Sequence, residues 1–214
     1  MVYCSLSQAA DLTQHVNPFI GTVVGSGNTY PGAQVPFGMI SWSPQSGDFR
    51  GSPGGYNYND QRISGFGLIH LSGAGCDTTC DLPFMPCTGE LAASPATNRN
   101  VYSSAFSHQK ETASPGYYSV ELPTWGARFE NTVTTRAGIA HIDFPATNLA
   151  NIVLNPTANG TGLQDGSISI DPASRSMSGW AKSGSFCGIK GSDYTVYFWA
   201  EFDQPFKSFG TWDG

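Results

Sequence analysis

Apolar and polar positions alternate with a period of two through most of the second half of the chain, the spacing of strands with one buried face. Tyr118, Val120 and Leu122 alternate with Tyr117, Ser119 and Glu121, and Pro123 ends the run. Phe129, Asn131, Val133 and Thr135 alternate with Glu130, Thr132 and Thr134, and Ala140, Ile142 and Phe144 share one face of the next segment. Residues 151–154, 167–170 and 176–181 continue the pattern. In residues 194–202, Val196, Phe198 and Ala200 face one way and Thr195, Tyr197 and Trp199 the other, which predicts a strand covered on both sides. Residues 206–212 read as an outer strand in mid-course, so the chain reads as a fragment. In the first half, residues 39–43 predict a short strand ended by Pro44, residues 63–71 regain apolar character, and the prolines of residues 81–86 restrict that segment to an edge strand or an extended loop. No window sustains helical apolar spacing free of Gly and Pro. Short strands separated by frequent turn signals predict an all-β fold, an antiparallel β-sandwich, in one domain over residues 15–214 behind a leader of residues 1–14.

The irregular part of the chain, residues 17–86, is the stretch around which the rest is organised. At its centre stands Asn28-Thr29-Tyr30-Pro31-Gly32-Ala33, preceded by a Gly-rich run over residues 21–27 and followed by Val35-Pro36-Phe37-Gly38. Pro and Gly at this density fix unusual backbone angles and predict a shaped loop that holds Asn28 and Tyr30 out from the scaffold. The alternative is a structural turn whose Tyr covers the core.

Composition narrows the chemistry. Charged residues make up 12% of the 214, about half the usual share of roughly 25%, while Gly (26), Pro (14) and aromatics (13%) are frequent. A formal charge of −6 with no Lys/Arg cluster argues against a nucleic-acid partner, and no stretch approaches the roughly 18 apolar residues of a membrane span. A neutral, polyhydroxylated ligand suits this surface. Flat aromatic surface for a sugar face and planar polar groups for its hydroxyls are supplied in the loops by Tyr30, Tyr56, Tyr58, Asn28, Asn57, Asp48, Arg50 and Asp60. The loop acids Asp48, Asp60, Asp77 and Asp81 form no recognisable catalytic pair by spacing, and no G-x-S-x-G elbow is present. His70 is either a ligand contact or a hydrogen-bonded core residue.

Five cysteines leave at least one without an intramolecular partner. Cys76, Cys80 and Cys87 lack zinc-site spacing, so either a disulfide near Cys76–Cys87 or buried thiols are expected. Asn159-Gly160-Thr161 is a glycosylation sequon, relevant in a eukaryotic secretory route. Ser7-Gln8-Ala9 resembles a small-x-small cleavage site and points weakly to export.

The motifs Val16-Asn17-Pro18-Phe19-Ile20-Gly21-Thr22, residues 28–33 and 35–39, Gly55-Tyr56-Asn57-Tyr58, residues 64–76, Ser114-Pro115-Gly116-Tyr117-Tyr118, residues 130–138, Phe186-Cys187-Gly188 and residues 194–212 together resemble the N-terminal domain of glycoside hydrolase family 92. The resemblance implies a galactose-mutarotase-like β-sandwich from a secreted, calcium-dependent, inverting exo-α-mannosidase. It implies a C-terminal (α/α)6 barrel as partner, which supplies the acid, the base and the calcium ligands, so this chain alone is expected to be inactive and to hold no metal. An α-mannoside or another glycan is the implied ligand. Carried over by motif, Asn28 and Tyr30 fall near the pocket, with Tyr56, Tyr58 and Asp60 in one neighbouring loop and His70, Cys76 and Asp77 in another. Asp48, Phe49 and Arg50 stand where a Trp-bearing segment often shapes the leaving-sugar subsite. Residues 23–28 replace a Gly/His-rich version of their loop, and Gly67-Leu68-Ile69-His70 replaces a Ser-x-Thr-His run. The alternative is a stand-alone carbohydrate-binding sandwich without catalysis.

Overall fold

The structure, a computed structural model, describes residues 11–23, 28–47, 52–77 and 80–212. Among the described residues, thirteen strands run in chain order: β1 (Ala33–Gln34), β2 (Ser41–Ser46), β3 (Arg62–Gly67), β4 (Phe84–Thr88), β5 (Ser104–Ala105), β6 (Glu111–Ser114), β7 (Tyr117–Leu122), β8 (Ala127–Val133), β9 (Gly138–Asp143), β10 (Ala150–Leu154), β11 (Leu163–Asp171), β12 (Ser176–Ser183) and β13 (Tyr194–Glu201). Every named pairing is antiparallel. They form a six-stranded sheet in the order β1-β2-β3-β4-β10 with β5 on β3, a four-stranded meander β6-β7-β8-β9, and a three-stranded meander β11-β12-β13. The helical turns among the described residues are short 3-10 segments.

The alternation read from the sequence places the core. Tyr118, Val120 and Leu122 of β7 and Phe129 of β8 are buried against Ile63, Phe66, Met85, Cys87 and Val153 of the six-stranded sheet. Phe66 and Phe129 stack at 3.7 Å across this interface. Full burial of each such side chain contributes about 1.5–3 kcal/mol. Phe84, pointing away from Met85 along β4, meets Phe198 of β13 edge-on at 6.0 Å. The six-stranded sheet thus carries both smaller sheets.

Four expectations need correction. β2 does not stop at Pro44 but passes through it to Ser46, because β1 pairs only with Ser41 and Trp42 and no strand beyond that point requires an N–H from Pro44. β4 is an interior strand: Pro86 pairs with Ile152 of β10, and β3 pairs with β4 at Phe66↔Phe84 alone before turning to pair with β5, so the missing N–H of Pro86 falls where β3 has left β4. β13 is covered on one face, with Tyr197 76% and Trp199 64% exposed on the other. Residues 206–212 form no strand; they run on as an exposed segment.

Candidate functional site

The central loop owes its path to two close backbone approaches. A Cβ on Gly32 would lie 2.3 Å from Ser43 Cα, and one on Gly54 would lie 2.3 Å from the Thr29 carbonyl oxygen. Only glycine lets these segments meet. Hydrogen bonds then lace three loops together: Gly73 N–H donates to the Asn28 carbonyl (2.7 Å), Tyr58 N–H to the Thr22 carbonyl (2.9 Å) and the Gly32 N–H to Ser43 Oγ (3.2 Å). A disulfide joins Cys76 to Cys187, with Cα atoms 5.4 Å apart, and fixes the end of the 70–77 loop to the turn after β12. Cys76 therefore does not pair near Cys87; Cys80 and Cys87 are buried free thiols. Burial pushes the Cys87 thiol up to about 11, beyond thiolate chemistry at neutral pH.

The aromatic and imidazole groups of this region are spent inside the domain. Tyr30 is buried, with its hydroxyl donating to Gln34 Oε1 and its ring 5.2 Å from that of His70. The sequence-based expectation of a Tyr30 held outward is therefore corrected: the loop folds it back onto His70. His70 is buried and its Nδ1 lies 3.0 Å from the Gly54 carbonyl, the geometry of an Nδ1–H donor. Burial lowers its pKa to about 4, so the ring is neutral at pH 7. Tyr56 is a core residue whose hydroxyl donates to Glu111. Tyr58 keeps an exposed rim, but His108 stacks on its ring at 3.8 Å and Phe19 meets it edge-on at 5.6 Å. His108 thus takes one face of Tyr58. Asn28 is half-buried and Asp77 exposed. Asp60 accepts a hydrogen bond from Ser46 Oγ at 2.7 Å. Asp48, Phe49 and Arg50 lie outside the described residues.

Asn28, Tyr30, His70 and the Gly54 turn are thus brought into one packed group. Tyr58 and Asp60 instead line a groove of about 440 Å³ with Asn59, Gln61 and residues 105–108. Two buried carboxylates were not assigned roles from the sequence. Glu111, with a fully buried side chain, accepts from the Tyr56 hydroxyl (2.9 Å), the Tyr118 hydroxyl (2.6 Å) and His108 Nδ1 (2.6 Å). His108 Nε2 lies 2.5 Å from the Tyr58 carbonyl, so both imidazole nitrogens face acceptors. The His-x-x-Glu spacing at 108–111 is the sequence signal, and it carries no information about burial. Asp81 accepts from Ser183 Oγ (2.6 Å), Asn159 Nδ2 (3.1 Å) and the Tyr194 hydroxyl (2.8 Å), pinning the three-stranded sheet to the segment that precedes β4. Burial raises its pKa against these hydrogen bonds. Among the described residues, no group of three or more His, Cys, Asp or Glu is placed to hold a metal ion.

The described residues form an antiparallel sandwich with a glycine-laced, disulfide-locked loop cluster. The chain belongs to glycosyl hydrolase family 92, whose N-terminal domain model matches residues 15–214. The structure superimposes on the family 92 α-mannosidase BT3965 of Bacteroides thetaiotaomicron with a TM-score of 0.82 and 35% identity, over 94% of this chain and 27% of that one. That enzyme has also been captured with mannoimidazole. The inverting mannosidase BT2199 of the same organism gives a TM-score of 0.72 at 29% identity, over 93% of this chain and 26% of that one. A secreted glycosidase of Arthroderma benhamiae, of uncharacterised activity, is 29% identical over 175 residues, 75% of this chain and 22% of its own length. The chain spans about a quarter of the length of these relatives.

Proposed function

We propose that this domain forms one wall of the mannoside pocket of a secreted α-mannosidase and packs on a catalytic (α/α)6 barrel. The observation that carries the reading is the family match over residues 15–214, together with likeness to two mannosidases that extend well beyond the matched region. The laced loops of residues 28–32, 52–60 and 70–77 are the pocket wall in this reading. Asn28, Asp60 and Asp77 supply its polar groups, and Tyr30, Tyr56 and His70 hold the loops from behind. The family resemblance assigns Asp48, Phe49 and Arg50, which lie outside the described residues, to the leaving-sugar side. This chain supplies shape and orientation; the acid and base come from the barrel. Calcium in the whole enzyme would polarise the substrate. In this reading its ligands come from the barrel, while the buried carboxylates Asp81 and Glu111 of this chain spend their oxygens on side-chain donors. Export is supported by the secreted description of the Arthroderma relative.

The test is mannose release from α-linked mannobioses, with calcium or with chelator, by this chain and by a longer protein carrying the following domain. Activity restricted to the longer, calcium-loaded protein is expected. Chelator-insensitive activity in the 214-residue chain would overturn the reading and return Asp48, Asp60, Asp77 and Asp81 to consideration as catalysts.

A further inference from the structure

His108 opens the short 3-10 turn His108–Lys110 between β5 and β6, and other parts of the fold hold its ring in place. Tyr58 stacks on it at 3.8 Å with the planes 4° apart, and Phe106 meets it edge-on at 5.2 Å. In the ring plane, Nδ1 lies 2.6 Å from Glu111 Oε2 and Nε2 lies 2.5 Å from the Tyr58 carbonyl oxygen. The Glu111 side chain is fully buried, while that of His108 keeps 31% of its surface, enough to exchange a proton with solvent.

The two acceptors make different demands on the ring. A carbonyl oxygen can only accept, and the Glu111 carboxylate already receives the Tyr56 and Tyr118 hydroxyls. Both contacts of His108 are hydrogen bonds only when both ring nitrogens carry hydrogen, which is the imidazolium form. A neutral ring has one N–H to give. A bond to a carboxylate is roughly twice as strong as one to a neutral acceptor, so that hydrogen stays on Nδ1. The bare lone pair of Nε2 then confronts the lone pairs of the Tyr58 carbonyl, and the contact has to open.

What opens is bounded by the other ties of the loop. Ser46 Oγ accepts from the Asn57 N–H (2.7 Å) and donates to Asp60 (2.7 Å), and the Tyr58 N–H donates to the Thr22 carbonyl (2.9 Å). The base of the loop therefore stays in place and the Tyr58–Asn59 peptide is the part set free. The charged and titratable groups around His108 are Glu111 from β6, Tyr118 from β7, and Tyr56, Tyr58 and Asp60 from the loop; Lys110 beside it turns away to Glu121 at 3.1 Å. Burial and the Glu111 charge push the Tyr56 and Tyr118 phenols upward, so both hydroxyls stay donors. Imidazole is the side chain whose charge ordinarily changes between about pH 5 and 8.

We propose that His108 is a pH-operated latch on the tip of the loop between β2 and β3. It is closed while the ring bridges Glu111 and the Tyr58 carbonyl with two N–H groups, and it opens when the ring gives up the proton on Nε2. Every contact of the latch named here is made within this domain. The inference goes beyond the pocket-wall reading and stands without it; within that reading, it makes the shape of the wall depend on pH.

NMR of the isotope-labelled 214-residue chain between about pH 5 and 8 tests it. Both ring nitrogens of His108 are expected to be protonated at the acid end, with Nδ1 alone protonated at the alkaline end. The amide of Asn59, which shares its peptide group with the Tyr58 carbonyl, is expected to shift along the same curve, and His108→Gln to flatten that response. Asp60→Asn should keep it, which separates the latch from the neighbouring carboxylate. Thermal melts show whether each variant is folded, and the ring measurement on the unsubstituted chain needs no variant. The proposal fails if the ring titrates and the Asn59 amide does not move, or if the ring keeps one protonation state throughout. It fails equally if the neutral ring holds its hydrogen on Nε2, or if folded His108→Gln keeps the Asn59 response.

Discussion

Replacing Glu111 with Ala removes the acceptor at the centre of the buried network that joins three parts of the fold. Tyr56 reaches it from the β2–β3 loop, Tyr118 from β7 and His108 from the turn before β6. The carboxylate side chain is fully buried, and the Tyr56 and Tyr118 side chains are 1% and 0% exposed. Neither hydroxyl has solvent to turn to once the acceptor is gone. Hydrogen bonds to a charged group contribute about 1.5–3 kcal/mol each, but they share one acceptor and do not add. Each buried hydroxyl left without a partner costs about 1–3 kcal/mol, which is the better guide here. A loss of about 4 kcal/mol is therefore expected. For a domain of this size it lowers Tm by about 8–16 °C. Urea denaturation followed by Trp fluorescence, at pH 7, reads the loss as a fall in midpoint at unchanged slope. Tyr118→Phe should cost less, about 1–3 kcal/mol, and the Glu111→Ala, Tyr118→Phe double variant should cost less than the sum. A loss below about 1 kcal/mol for Glu111→Ala would refute the reasoning, because it would mean the carboxylate acts like an exposed surface charge.

Three further outcomes are expected. His70 is held neutral with a pKa of about 4 against an ordinary 6.5, so the unfolded chain takes up a proton in that interval and the folded chain does not; stability is fully present above pH 6.5 and falls by about 3 kcal/mol as pH drops to 4. Denaturation midpoints at pH 7, 6 and 5 check this, and a His70 ring resonance that titrates near 6.5 by NMR would contradict it. Reducing the Cys76–Cys187 bond opens a loop with a sequence separation of 111 and should cost about 4–5 kcal/mol, read as a fall in Tm with reductant; Cys80 and Cys87 should stay unlabelled by maleimide in the folded, oxidised protein. Gly54→Ala forces the Thr29 carbonyl away and should cost about 1–3 kcal/mol, with hydrogen exchange quickening at the Gly73 and Tyr58 amides if the loops separate as argued.

The strands from Tyr117 to Asp143 were legible because their apolar positions turn to the more buried face, although burial departs from residue type at Ser119 and Asn131, which are buried, and at Ile139, which is exposed. β2 and β4 were not, because a proline is excluded from a strand only when a neighbour needs its N–H, and the neighbour's length is a tertiary fact. The outer face of β13 was misread for a related reason: Tyr and Trp are equally suited to a core and to a wet surface, and sequence does not say what lies across from them. The same ambiguity runs through the loops. Tyr30, Tyr56 and His70 carry the groups a sugar site needs, yet the approach of Gly54 to Thr29 folds them inward. Cys187 as the partner of Cys76 could not be reached from spacing, since the loops that bring them together are far apart along the chain.

The Asp81 cluster has a consequence for how the chain would be handled in a eukaryotic secretory route. Asn159, the acceptor of the sequon, is fully buried, and its amide nitrogen donates to both Asp81 and Ser183. A glycan on that nitrogen would remove a hydrogen and set a bulky group where the segment before β4 meets the three-stranded sheet. Sugar transfer and native packing are therefore mutually exclusive fates for each molecule. Whichever reaches Asn159 first decides: a chain modified before Ser183 has emerged to claim the amide is committed against the fold, and one that closes first hides the sequon from the transferase.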